Sequence, residues 1–131
     1  MNAGIHKAMD VQLASVPEAP GQARDAVAPL RGRIGDRALA DVRLVISELV
    51  SNAVRHAPGE PISLSVNVDE DGVVHGEIED RGAGGVRLRP TRPGEPGGYG
   101  LEIVDALTDD WGVGDGPTRV WFELRDTSTS N

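Results

Sequence analysis

The sequence predicts an α+β fold, a two-layer sandwich in which a mostly antiparallel sheet carries its helices on one face. Three observations predict it. Residues Ile62 to Val68 alternate strictly, with Ile62, Leu64, Val66 and Val68 on one side and Ser63, Ser65 and Asn67 on the other, the period of a strand covered on one side only. Residues 36–56 carry Val42, Val45, Ile46, Leu49, Val50 and Ala53 in an unbroken i, i+3, i+4 pattern, the apolar stripe of an amphipathic helix. Asp69-Glu70-Asp71-Gly72 is a hairpin turn, so the strands on either side of it pair antiparallel. Alternating strands leave one apolar face, and the helices must share it.

The remaining elements follow in order. Residues 1–10 show no periodicity and are expected to be flexible. Val11 and Leu13 flank Gln12 as a short first strand that ends by Pro17. Ala23, Val27 and Leu30 have helical spacing within 19–31, although Pro20, Gly21 and Pro29 weaken that helix. Asp36 suits the N-cap of the long helix, and Pro58 and Gly59 stop it after His56. After the strand 73–80, residues 81–98 are rich in Gly, Pro and Arg without periodicity; a loop of that length in a small domain is functional or mobile. A helix over 99–108 presents Ile103, Val104 and Leu107 to the core. A strand at 111–113, a turn at 114–117 and a last strand at 118–124 complete the domain, with Val120, Phe122 and Leu124 inward. Residues 126–131 are polar and expected to be disordered, so the domain itself spans 11–125.

Composition excludes several chemistries. With 21 acidic and 13 basic residues in 131, the net charge is -8, unsuited to a nucleic-acid backbone. There is no cysteine, which removes disulfides, thiolate metal sites and cysteine nucleophiles together. Lys7 is the only lysine, and neither a P-loop nor a protein-kinase strand lysine is present. No apolar run approaches the roughly 20 residues of a membrane span, and the N-terminus lacks the pattern of a signal peptide. The expectation is a soluble cytoplasmic protein with no membrane or direct nucleic-acid partner.

Three polar features occupy awkward places. Glu48, Asn52 and His56 form an i, i+4, i+8 row along one edge of the long helix's apolar stripe. A carboxylate and an amide there offer hard oxygens suited to Mg²⁺, which takes few protein ligands. The plainer reading is a salt bridge from Glu48 to Arg55 or Arg43, with Asn52 bonding locally and His56 favoured by the helix dipole. Asp80 shares its strand face with Val74, Gly76 and Ile78, so a carboxylate is aimed at the core side; the alternative is an Asx-turn with Gly82. Gly82 and Gly84 follow that carboxylate, and Gly97, Gly98 and Gly100 open the next helix. Such backbone approaches a ligand closely, and N–H groups at a helix start bind phosphate. Singly, each glycine cluster is an ordinary turn.

Their order resembles the GHKL ATPases, the family of gyrase, Hsp90, MutL and histidine-kinase ATP domains. It runs Glu48…Asn52 on a helix, Asp80-Arg81-Gly82-Ala83-Gly84 after a strand, a Gly/Pro loop, and Gly98-Tyr99-Gly100-Leu101 opening a helix. The phrase Glu48-Leu49-Val50-Ser51-Asn52-Ala53-Val54-Arg55-His56-Ala57 is similar to the corresponding segment of the anti-sigma factor serine/threonine kinases, especially the actinobacterial regulators, as are Asp109 to Val113 and Arg119 to Leu124. The resemblance covers about 17–125. It implies a Bergerat ATP-binding fold, with ATP and Mg²⁺ as cofactors. It assigns Glu48 as general base, Asn52 to Mg²⁺, and Asp80 to the adenine amino group with Gly82 and Gly84 giving the base room. It also assigns Gly98, Tyr99, Gly100 and Leu101 to the phosphates, 85–97 to an ATP lid, and Thr118 to the site's edge. The implied function is phosphorylation of a STAS-domain anti-anti-sigma factor and sequestration of a sigma factor. Members of this family commonly pair as homodimers. A binding module of the same fold that holds a regulator without catalysis, with ATP structural or absent, is the alternative.

Overall fold

The computed structural model describes residues 5–56, 59–80, 101–114 and 119–127. Its elements are β1 (Ile5–Leu13), α1 (Ala19–Ala26), α2 (Asp36–His56), β2 (Ile62–Asp69), β3 (Val73–Asp80), α3 (Leu101–Leu107), β4 (Asp110–Val113) and β5 (Arg119–Arg125), with a 3-10 turn at Ala28–Leu30. The strands form one sheet in the order β1-β2-β3-β5-β4, and every pairing is antiparallel. This is the α+β architecture expected from the alternating strands.

Burial follows the predicted periods. In α2, Val42, Val45, Ile46, Leu49, Val50 and Ala53 are all buried, and they face the inward residues Ile62, Leu64 and Val66 of β2, Val74 and Ile78 of β3, and Val120, Phe122 and Leu124 of β5. Residues 62–69 and 73–80 alternate buried and half-buried without a break. The helix α2 packs on β3 and β5 while touching α1 and α3 on its flanks, and α1 packs on β1.

Four boundaries differ from the sequence expectation. The first strand begins at Ile5, six residues before Val11, within the stretch expected to be flexible. Pairing with β2 supplies the order, and the ladder absorbs an irregularity between Lys7 and Met9, which disguises the period in the sequence. The helix expected over 19–31 divides into α1 and the 3-10 turn, since Pro29 has no N–H to continue the α-helical ladder. Asp36 is the first residue of α2. The N–H of Gly35, just before it, instead donates to Oδ2 of Asp126 at 3.0 Å. Asp126, placed by sequence in a disordered tail, is buried and also donates its own N–H to the Gly72 carbonyl. In α3 the fully buried residues are Leu101 and Val104, whereas Ile103 is half-buried.

The β2–β3 turn is held by Asp69. Its Oδ1 accepts the N–H groups of Asp71 and Val73 at 2.9 and 3.0 Å, and its Oδ2 lies 3.0 Å from His75 Nε2. The other ring nitrogen of His75 lies 3.1 Å from Glu123 Oε2, so the ring sits between two carboxylates. The hydrogen bond to His75 is the largest cause holding the Asp69 carboxyl below its ordinary value of 3.8. A carboxyl depressed on folding stabilises the native state above its unfolded value and loses that contribution as pH falls through the native one. The stability difference between wild type and Asp69→Ala in urea titrations is therefore expected to be full above pH 3.8 and to shrink progressively below it.

Gly76 in β3 stands opposite Phe122 of β5. A Cβ at this position would lie 2.2 and 2.3 Å from two atoms of the Phe122 ring, and that ring is itself fully buried. Gly76→Ala is expected to destabilise by about 1–3 kcal/mol through overpacking, read as a lower urea midpoint at unchanged slope.

Candidate functional site

Four polar side chains are buried among the described residues: Ser15, Asn52, Asp80 and Asp126. A dry polar group is costly unless it is hydrogen-bonded, and Ser15 Oγ, like Asn52 Nδ2, has no partner among the described residues. Asp126 has a backbone partner in the Gly35 N–H. Asn52 and Asp80 are two of the residues singled out by the sequence.

Asn52 lies on α2 between Leu49 and Ala53, beside the apolar stripe, and is 0% exposed. Its Oδ1 accepts a hydrogen bond of 2.7 Å from Nη2 of Arg55, so the local bonding of the plainer reading does occur. Among the described residues its Nδ2 has no hydrogen-bond partner. The orientation of the amide is thereby fixed, with the oxygen toward the guanidinium and two unused donor hydrogens on the buried nitrogen. Glu48 sits one turn earlier on the same helix edge and is half-buried, which leaves its carboxylate access to solvent.

Asp80 is the last residue of β3, paired with Ile62 at the start of β2, and is 2% exposed. Period two carries it inward with Val74, Gly76 and Ile78, as the alternation requires. Leu101, buried, opens α3. The helix α2 touches both β3 and α3, and Asn52, Asp80 and Leu101 are each buried on these three elements. Gly82, Gly84, Gly98, Tyr99, Gly100, Thr118, the loop 85–97 and the side chain of His56 lie outside the described residues.

Arg55 is the contributor that sequence reasoning placed elsewhere, as a partner for Glu48. The i, i+3 spacing from Asn52 is the signal that finds it. The site therefore offers a buried carboxylate, a half-exposed carboxylate, and an amide whose oxygen is held by a cation. Among the described residues no three His, Asp or Glu side chains cluster to hold a metal by themselves. An ion here would draw most of its ligands from water and phosphate, as Mg²⁺ does.

Residues 12–124 match the model of a family described as the histidine kinase-like ATPase domain. The serine-protein kinase RsbW of Oceanobacillus iheyensis is 29% identical over 120 residues, an alignment that covers 78% of this chain and 75% of that protein. No helix among the described residues is long and apolar enough to cross a membrane.

A buried amide nitrogen without a partner costs about 1–3 kcal/mol. Asn52→Leu, of similar size, is expected to leave stability unchanged or to raise it by about 1 kcal/mol, measured by urea denaturation. A loss of the size seen for broken buried networks would show that Asn52 serves the fold.

Proposed function

Because the chain belongs to the histidine kinase-like ATPase domain family, we propose that it binds Mg²⁺ and ATP and transfers a phosphoryl group to a serine or threonine of a protein partner. The proposed partner is a STAS-type anti-anti-sigma factor, and the proposed setting is cytoplasmic, where the chain in its other state sequesters a sigma factor, working as a homodimer. The observation that carries this reading is Asn52. It is a fully buried amide with an unpartnered nitrogen, one turn after Glu48, in a chain related to a serine-protein kinase.

The residues present fit the implied cofactors. Asp80 is a buried acceptor suited to the amino group of a purine, and the Asn52 amide oxygen is a hard ligand suited to Mg²⁺. When bound, Mg²⁺ and ATP supply the phosphoryl group and spread its developing charge. The chain's own part is positional. Asp80 would hold the base, with Gly82 and Gly84 leaving room for the ring. Backbone N–H groups of Gly98, Tyr99, Gly100 and Leu101 would face the phosphates at the start of α3, and Thr118 would border the pocket. Glu48, with solvent access, would take the proton of the acceptor hydroxyl. The charge balance adds support for a protein substrate, since a net charge of -8 disfavours nucleic acid.

Two variants test the reading. Asp80→Asn is expected to weaken ATP binding about tenfold or more, the value of a charge-assisted hydrogen bond, in calorimetric titration. Glu48→Ala is expected to keep ATP binding while lowering transfer from radiolabelled ATP to a STAS partner by about 10²-fold or more. ATP binding without transfer in the wild type, or no effect of Glu48→Ala, would favour a binding module of the same fold.

A further inference from the structure

The outward side of the helix layer carries charged groups that the nucleotide site leaves unused. We infer that the cleft between α1 and α2 is a docking site for an acidic segment of a protein partner, whose carboxylates seat on Arg24 and Arg43. The inference rests on the reading that the chain engages a protein partner and is independent of its nucleotide site.

The cleft is open, with a volume of about 680 Å³, and Gly21, Arg24 and Arg43 are among its walls. Arg43 stands one turn before Ser47 on α2, so the two side chains share a face. Ser47 Oγ accepts a hydrogen bond of 2.7 Å from Nη1 of Arg24, which draws the α1 guanidinium across to α2. The other nitrogen of that fork lies back over Gly21, where a Cβ would stand 3.4 Å from Nη2. With no side chain at Gly21, this edge of the fork is left uncovered. Arg43 is half-buried, and its Nε is enclosed without a hydrogen-bond partner among the described residues. Neither guanidinium forms an ion pair among the described residues, although Glu18 and Asp25 border the same cleft.

Two like charges in one cleft, one of them partly dry, favour a counter-ion. The chain is acidic overall, with 21 acidic and 13 basic residues, yet residues 24–56 reverse the balance with six arginines against four acidic side chains. An arginine fork matches a carboxylate in geometry as well as charge. Glu18 and Asp25 at the rim repel a free phosphate dianion, whereas a folded partner can present single carboxylates to the arginines and hold the rest of its surface clear. Successive residues of a helix are about 100° apart, so Ser47 and Glu48 lie on adjoining faces. A partner held in the cleft is thereby beside the proposed base.

The test measures the anisotropy of a fluorescein-labelled hexaglutamate peptide at low ionic strength, with thermal melts confirming that every variant folds. A net charge of -8 repels this probe from the rest of the molecule, so binding reports a local cationic site. Arg24→Gln and Arg43→Gln are each expected to weaken binding about tenfold, the worth of one charge-assisted hydrogen bond. Ser47→Ala, which releases Arg24 without changing the charge, is expected to weaken it about threefold. Arg125→Gln removes the same charge from β5 and is expected to stay within about twofold of the wild type. No binding by the wild type, or an equal loss in Arg125→Gln and Arg43→Gln, overturns the docking site. Displacement of the probe by inorganic phosphate, at an ionic strength where chloride does not displace it, assigns the cleft to a free anion and also overturns it. Transfer to a STAS partner with an unchanged KM in Arg43→Gln overturns docking in the cleft while upholding the kinase reading. Probe binding by a wild type that binds no ATP overturns the nucleotide site and leaves the cleft standing.

Discussion

The seam between α2 and the inner face of the sheet is the constraint on which the rest of the structure depends. Val42, Val45, Ile46, Leu49, Val50 and Ala53 lie against the inward residues of β2, β3 and β5, and nearly all of these side chains are excluded from water. A sheet with one apolar face has to place its helices there, and with few aromatics in the chain the contact is made by branched aliphatics at close range. The Gly76 and Phe122 pair shows how little slack remains. The one large ring of the core occupies the space that a side chain on the neighbouring strand would need.

Polar groups placed in such a seam are conspicuous because the seam is dry. Asp126 shows what a structural solution looks like: it accepts the Gly35 N–H at the start of α2 and donates to the Gly72 carbonyl, tying the end of β5 to the hairpin turn and to the long helix. Asn52 is different. It is equally buried, yet half of its hydrogen-bonding capacity is unused, and its oxygen is held by a side chain that solvent can reach. A buried amide left partly unsatisfied carries a cost that a fully bonded group such as Asp126 does not.

The opposite face of the sheet follows other rules. Ser63, Ser65, Asn67, His75, Glu77 and Trp121 are half-exposed there. Its order comes from cross-strand polar contacts, such as His75 between Asp69 and Glu123 and Arg119 beside Glu79. These contacts are local and screened, and individually weak. The two faces divide the labour, one holding the fold together and carrying the candidate site, the other remaining in contact with water.

How much of this was legible beforehand depended on whether the deciding physics was local. The period of 62–80, the stripe of α2, the hairpin turn and the inward direction of Asp80 are set by backbone geometry alone, since successive side chains of a strand or helix point where the repeat sends them. The row of Glu48 and Asn52, and their order before Asp80 and Leu101, were visible for the same reason, and so was the family resemblance. The tertiary structure decided the rest. Order at Ile5 to Asp10 comes from pairing with a strand more than fifty residues away, and burial of Asp126 from a hydrogen bond across 91 positions. The hold of Arg55 on Asn52 depends on which of several i, i+3 and i+4 partners the surrounding packing leaves within reach. The sequence by itself determined the periods, the faces and the list of candidate residues. Which of those residues are dry, which are paired and which are left wanting a partner was decided only when distant segments closed over them, because burial and hydrogen-bond satisfaction belong to the assembled layer and not to any one segment.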